Sequence, residues 1–396
     1  GGSHDRVDAG IHVRSSNNKI INNVISDALF GIDFQEAHNN EVIGNDISSK
    51  SAKLGVRGDG IRVWASHRNL FKENKIHDSR DMVIWYSNDN VIEGNEGWNN
   101  RYSLHFMFAG GNVVRRNKYH HNTVGIFLMY SLDSLLEYNT IMYSIGGTGV
   151  GIGLKESGNM TLQYNQIVYC TNGIYMDLSP YQPEHFNYFK GNKVAYNMTG
   201  IDFNSSLPRN VFKGNAFIDN LEVLSVHANG TARHSVWEGN YYSDYQGFDR
   251  DKNGYGDNAF QKLAYLDQMW MSDEWLRLFY GTPVISVVNF LSKMAPITEP
   301  KLLFVDHKPV FTNDNDVLLS TANLLYTAPS KNKKSTKGDT SDQLAAYQVF
   351  EEDEDDEDDD DNVPARFSEV DALEDDDEEL DVDQDAEDYN RYYLKQ

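Results

Sequence analysis

An imidazole and two thioethers, His105, Met107 and Met129, are the residues whose chemistry stands out first. Soft sulfur combined with imidazole nitrogen is the donor set that selects Cu(I). Methionine more often fills a core, so this chemistry requires the side chains to point outward. A second set is Asp249, Asp251, Asn253, Tyr255 (through its carbonyl) and Asp257. These residues take positions 1, 3, 5, 7 and 9 of a calcium loop, with Gly254 at the sharp-turn position 6. The bidentate acid of position 12 is absent, with Phe260 in its place; a structural Ca²⁺ locking the end of the solenoid is the expectation, and an acidic turn with no ion is the alternative. Carboxylates are the third set: glycosidases need two within reach of one bond. Asp177 and Asp202 are the best pair, Lys155 is a weak partner, and Asp33 is far from both. His120-His121, at a turn, could add ligands to the copper set, although adjacent histidines on a turn are usually solvated. No P-loop, GxSxG elbow or HExxH zinc motif occurs.

What must position these residues is a repeat. The units NEVIGN (40–45), NLFKEN (69–74), NVIEGN (90–95), NVVRRN (112–117), SLLEYN (134–139), NYFKGN (187–192), NVFKGN (210–215) and SVWEGN (235–240) recur through the chain. Their closing residues, with the flanking units, form the series Asn22, Asn45, Asn74, Asn95, Asn117, Asn139, Asn165, Asn192, Asn215 and Asn240. A period near 22 is one coil of a β-solenoid. No single coil can bury its own apolar face, so stacking makes the core. Asn tolerates the left-handed backbone of a tight corner, and stacked Asn side chains can form hydrogen-bond ladders along the axis. Leucine-rich repeats share the length, but their LxxLxL strand is absent. The predicted fold is all-β: a right-handed parallel β-helix, a single solenoid of about ten coils over residues 1–242.

Strand side chains alternate, so the Gly-Ile strands assign two faces. Ile11/Val13, Ile32/Phe34, Ile61/Val63, Val83/Trp85, Leu104/Phe106 and Ile126/Leu128 are expected inside. The outward columns then contain Asp33, Arg62, Ile84, His105, Phe127, Tyr175 and Asp202, and beside them Trp64, Tyr86, Met107, Met129, Lys155 and Asp177. Trp64, Tyr86 and Phe127 mark this face as an interaction surface, being unusually apolar for an exposed one.

After the solenoid, 243–262 holds the calcium-type loop, and 263–305 carries helical patterns broken at Gly281-Thr282-Pro283. A C-terminal helical extension is expected there. It would cap the open end and dock on a membrane partner through Val284, Val287, Val288, Phe290 and Leu291. Residues 306–330 read as a linker and 331–396 as a disordered acidic tail. The tail has 26 Asp/Glu and 7 Lys/Arg, so it holds −19 of the net charge of −25 and leaves −6 for residues 1–330. The body has no basic stripe, which argues against nucleic acid. The lone Cys170 excludes an internal disulfide and a CxxC site. No apolar run approaches the length of a membrane span, and no signal peptide is present. The opening Gly-Gly-Ser, with no initiator Met and a coil starting almost at once, reads as an N-terminus that is missing or processed.

HDRVDAGI (4–11), YSLHFMFAGGN (102–112), VGIFLMYS (124–131), GNYYSDYQGFDRDKNGYGD (239–257) and FYGTPVISVVNFLSKMAP (279–296) resemble the NosD family of periplasmic β-helix proteins. The resemblance runs from residue 1 to about 305. It implies a periplasmic role in maturing the copper–sulfur site of nitrous-oxide reductase, handling copper, transiently as Cu(I), or a sulfur species. It also implies as partners the membrane subunit of an ABC transporter, a copper chaperone lipoprotein and nitrous-oxide reductase itself. The chain would then be a maturation scaffold, not an enzyme. A polysaccharide-active β-helix enzyme or a carbohydrate-binding module is the alternative that the carboxylates leave open. The acidic tail is not part of the resemblance.

Overall fold

The computed structural model of the chain describes residues 8–205, 208–227, 231–264, 282–283, 287–288, 291 and 301–311. Three ten-stranded parallel sheets run along one axis, and each coil supplies one strand to each sheet. A middle coil shows the plan: Tyr102–Met107 in the first sheet, Val113–Arg115 in the second, Lys118–His120 in the third. The fold is the expected right-handed parallel solenoid of about ten turns. Its interior is a stack of apolar side chains: Ile32, Phe34, Ile61, Val63, Leu104, Phe106, Ile126 and Leu128 are fully buried.

The asparagines of the series from Asn45 to Asn240 work at the corners as ladder members, not as left-handed residues, while Asn17, Asn39, Asn99 and Asn159 do take left-handed backbone elsewhere. At the corner between the second and third sheets, Asn74 Nδ2 donates to Asn95 Oδ1 at 3.0 Å and to the Val42 carbonyl at 2.8 Å. Its backbone N–H donates to the same Asn95 oxygen at 2.9 Å. This pattern repeats from Asn23 through Asn45 to Asn240. Buried amides with partners in the next coil satisfy the groups that a tight turn would otherwise strand. The positive φ belongs to the preceding residue: Gly44, Glu73, Gly94, Arg116, Tyr138, Tyr164, Gly191, Gly214 and Gly239. In the first coil Asn22 takes that left-handed place (φ 56°) and Asn23 is the ladder member.

One strand departs from the predicted alternation. Asp81–Trp85 pairs Met82 with Ile61, Val83 with Arg62, Ile84 with Val63 and Trp85 with Trp64. Met82 and Ile84 are therefore inside, while Val83 and Trp85 face outward, the reverse of expectation. The register shifts between Asp81 and Val83 against the next coil. Both frames offer apolar residues here, so alternation could not choose between them.

The fold class is corrected at the C-terminal end. No α-helix is delimited among the described residues, where only Pro283, Val287, Val288 and Leu291 are singly helical, and the one helical element with bounds is the 3₁₀ turn Leu54–Val56. The expected helical extension is flanked instead by strands Phe260–Ala264 and Lys301–Asp306, paired antiparallel. This hairpin closes the solenoid with apolar rings. Phe304 stacks on Trp237 at 4.0 Å, continuing the internal column Phe189–Phe212–Trp237, and Phe260 stacks on Tyr242 at 3.9 Å. Leu303 and Phe304 are fully buried, which contributes about 1.5–3 kcal/mol each. Of the predicted docking residues, Val284 and Phe290 lie outside the described residues, and Val287, Val288 and Leu291 are exposed. The acidic tail also lies outside them. Among the described residues no helix is long and apolar enough to cross a membrane.

Candidate functional site

The outer face of the first sheet, in the middle coils, brings the soft donors together. His105 and Phe127 are in register on neighbouring strands, as are Met107 and Met129. His105 Nε2 lies 3.4 Å from Met129 Sδ. The imidazole stacks on Tyr102 at 4.6 Å, and Tyr102 meets the edge of Phe127 at 5.9 Å. Burial raises the Tyr102 phenol above its usual range. Phe127 packs with Val124, Val150, Met129 and Tyr175 in an apolar cluster outside the main core. It lies across Gly153 of the next coil, where a Cβ would sit 2.3 Å from the ring. Phe127 therefore does not face solvent as an interaction residue; it supports the His105 site.

A carboxylate backs the imidazole. Asp81 Oδ2 is 4.0 Å from His105 Nδ1, an electrostatic approach rather than a hydrogen bond; because a thioether only accepts, Nε2–H is the donor in the contact with Met129 Sδ. Asp81 is itself held by Arg101, through Nε at 3.1 Å and Nη2 at 2.5 Å, and by the Tyr102 N–H at 3.1 Å. One coil back, Asp59 pairs with Arg80 at 2.9 Å and is fully buried. Burial pushes the Asp59 carboxyl up to about 6; Arg80 opposes the shift and Asp81 adds to it. These paired Asp/Arg layers were missed in the sequence. The signal was present as Arg80-Asp81 and Arg101-Tyr102, one coil apart.

Aromatic residues extend the face toward the first coils. Trp64 is 36% exposed and meets Trp85 at 4.8 Å and Tyr86 at 5.2 Å. Tyr86 sits on the corner with φ 48° and begins a stack with Phe108 (5.1 Å) and Tyr130 (4.8 Å). Arg14, Gln35, Glu36, Arg62 and Trp64 line a cleft of about 540 Å³ beside them. Two of these lining residues hold Asp33, which is fully buried: it accepts from Arg62 Nε at 2.8 Å and Gln35 Nε2 at 3.1 Å, with His12 Nδ1 at 2.9 Å. The other carboxylates are not joined to one another. Asp177 accepts from Asn204 at 3.1 Å and neighbours Lys155 in register, while Asp202 pairs with His227 at 2.8 Å.

The calcium-type loop has an inward-turned donor set. Asp249 accepts from Asn253 N at 3.0 Å and Gly254 N at 2.9 Å, and Asn253 Oδ1 accepts from Tyr255 N at 2.8 Å. Asp251 Oδ2 accepts from Asn253 Nδ2 at 2.8 Å. Gly254, at φ 85°, makes the sharp turn. The oxygen donors suit a hard cation. Asp257 instead accepts from Arg250 N at 3.1 Å, and Phe260 is buried in the terminal hairpin. Among the described residues no group of three or more His, Cys, Asp or Glu converges as a metal cage.

A model of the NosD family, described as periplasmic copper-binding protein, matches residues 49–247, half of the 396 residues. The chain belongs to the NosD family. The match covers the strands that carry His105, Met107 and Met129. Two proteins named probable ABC transporter binding protein NosD, from Pseudomonas aeruginosa and Stutzerimonas stutzeri, are each 32% identical, over 117 and 114 residues. In both cases the alignment takes in 28% of this NosD-family chain and 26% of the relative, so it spans about a quarter of the relatives' length. Among solved structures, the Azotobacter vinelandii mannuronan C-5 epimerase AlgE6 A-module is similar at 14% identity and a TM-score of 0.46, over 58% of this chain and 65% of that one. A periplasmic alginate epimerase AlgG mutant is similar at 19% identity and a TM-score of 0.40, over half of each chain. These likenesses concern the fold. They also correct the expectation that the chain is not an enzyme, because solenoids of related shape are epimerases and no firm exclusion of catalysis stands.

Proposed function

We propose that this NosD-family chain works in the periplasm as a copper-handling protein for maturation of the copper–sulfur site of nitrous-oxide reductase. Cu(I) is its cargo, received from a copper chaperone lipoprotein while the chain docks on the membrane subunit of an ABC transporter. The observation that carries this reading is the approach of His105 Nε2 to Met129 Sδ at 3.4 Å, with Met107 in register beside Met129. A thioether pair with one imidazole suits Cu(I) better than any hard ion. Support also comes from the family's description as copper-binding and from the relatives' name as transporter-binding. The buried Asp81–Arg101 layer would orient His105, and the Phe127–Tyr102 cluster would keep water from the sulfurs. The deciding experiment is an anaerobic Cu(I) titration against a chromophoric chelator, with Met107→Ala/Met129→Ala alongside. Competition lost in the double variant supports the site; no competition by either protein overturns it.

A second reading is favoured by a different observation. The cleft lined by Trp64, Arg62, Arg14, Gln35 and Glu36 combines an aromatic platform with polar groups, two of which, Arg62 and Gln35, bond the buried Asp33. That composition suits a sugar ring, and a carbohydrate-active or carbohydrate-binding role would use it. Polyuronate turnover or binding that Trp64→Ala removes would favour this reading over copper handling. For the loop at 249–257 we propose a structural Ca²⁺ at the solenoid's closing end.

A further inference from the structure

We propose that His120 and His121 form a binding site for a tetragonal divalent ion of the Cu(II) or Ni(II) class, at the corner between the third and first sheets. Their Nδ1 atoms are 3.0 Å apart and their rings stand at 90°. Two nitrogens this far apart, each at a ligand distance of about 2.0–2.1 Å, subtend about 94° at a shared ion. Tetrahedral ligands would need to stand about 3.4 Å apart at the same bond length. The pair therefore matches neighbouring positions of a tetragonal site, the geometry preferred by Cu(II) and Ni(II) with nitrogen and oxygen donors.

Both rings are held in place before any ion arrives. His120 lies parallel to Trp98 (5.9 Å, 3°), which lies parallel to His77 (4.4 Å, 3°). Its Nε2 is 3.4 Å from Glu96 Oε1, and Lys118 fixes that carboxylate at 2.9 Å. A carboxylate on the far nitrogen keeps the proton there and turns the Nδ1 lone pair to the corner, the usual support behind a metal-bound imidazole. His121 is exposed, with φ 56°, and stacks on Tyr143 at 4.8 Å, the start of a column that continues through Tyr169 and Tyr196. Among the described residues no third His, Cys, Asp or Glu completes a cage, so water fills the remaining positions and the ion is exchangeable. The site has no sulfur and is separate from the His105–Met129 face.

The test is Ni(II) binding to the full chain by calorimetry, with Cu(II) electron paramagnetic resonance as the second readout. Wild type, His121→Ala and Glu96→Gln are compared, and circular dichroism checks that each is folded. Wild type should take up one more equivalent than His121→Ala, and its Cu(II) signal should carry splitting from two imidazole nitrogens that the variant loses. Glu96→Gln should keep the equivalent and weaken it by about tenfold. Met107→Ala/Met129→Ala should leave it untouched, which separates this site from the Cu(I) face. Equal stoichiometry and equal spectra in wild type and His121→Ala would reduce the 3.0 Å approach to a plain N–H···N hydrogen bond and overturn the proposal.

Discussion

Asp306 terminates the asparagine ladder at Asn240. Its Oδ2 accepts from Asn240 N at 3.0 Å and from Asn240 Nδ2 at 2.9 Å, while Oδ1 accepts from Lys308 N at 2.9 Å. The carboxylate stands where the next coil's asparagine oxygen would be. It ties the closing strand Lys301–Asp306 to the last coil. Asp306→Ala would leave these buried donors unpaired, at a cost of about 3 kcal/mol. Asp306→Asn, which retains an acceptor, should lose less. Urea unfolding followed by circular dichroism measures both, and an unchanged midpoint for Asp306→Ala would remove the cap from the account.

Within the ladder, Asn117 Oδ1 accepts from Asn95 N (2.8 Å) and Asn95 Nδ2 (3.0 Å), and Asn117 Nδ2 donates to Ile92 O (2.9 Å). Asn117→Ala should cost about 2–4 kcal/mol by stranding donors and an acceptor together. A surface substitution such as Lys118→Ala should stay within about 0.5 kcal/mol. Equal midpoints for the two variants in the same urea series would contradict the role given to the ladder.

Gly153 controls the soft-donor site from one coil away. In Gly153→Ala the new Cβ would meet Phe127 Cε2 at 2.3 Å and Cδ2 at 2.4 Å, so the ring must move. The shift passes through Tyr102 to His105. Cu(I) affinity should fall by about tenfold, the factor that 1.4 kcal/mol represents, while the core of the solenoid remains folded. Chelator competition on Gly153→Ala reads this directly, and undiminished affinity would separate the Phe127 cluster from metal handling.

Two histidines should give opposite pH dependences. Burial, reinforced by His38, lowers the pKa of His67, whose Nδ1 accepts the Asn88 N–H at 3.0 Å. Its stabilising contribution is complete above the unfolded value near 6.5 and is lost as pH falls through the lowered folded value. For His77, burial lowers the pKa, but the hydrogen bonds it donates to Asp78 (2.7 Å) and Asp46 (2.9 Å) outweigh it and the net shift is upward. Its contribution is complete below about 6.5 and is lost as pH rises through the raised folded value. Stability measured across this range should respond less to acid in His67→Asn and less to base in His77→Asn. Unaltered profiles would disprove the assignments.

Calcium should raise the thermal midpoint if the loop at 249–257 binds it. At a hundred times the dissociation constant the gain is about 2.7 kcal/mol. Asp249→Ala should abolish the response without lowering the midpoint in chelator; a calcium response that survives the substitution would place the ion elsewhere.

The solenoid was legible because its corners repeat: buried Asn45, Asn74, Asn95 and their successors must meet amides in the next coil, so their spacing follows the coil length. The outward placement of His105, Met107 and Met129 followed from strand alternation around them. The same logic failed at Asp81–Trp85, where Met82/Ile84 and Val83/Trp85 are both apolar and only the irregularity at Asp81 sets the frame. The closing hairpin was hidden for another reason. Phe260–Ala264 and Lys301–Asp306 pair across a long separation, and neither strand is long enough to show its period. The convergence of the His120 and His121 Nδ1 atoms depends on the left-handed backbone of His121, which residue type alone does not reveal.

The asparagine column is also a line of aligned dipoles. Each side-chain amide in it donates one N–H to the asparagine of the following coil and the other back to a carbonyl, so the N–H groups of Asn240 are the positive terminus of a hydrogen-bonded chain many coils long. Aligned backbone amides give the amino end of an α-helix the same character, and an anion is favoured there. The Asp306 carboxylate is thus the counter-charge of the whole column, and the electrostatic state of the last coil is coupled to amides stacked through the length of the solenoid.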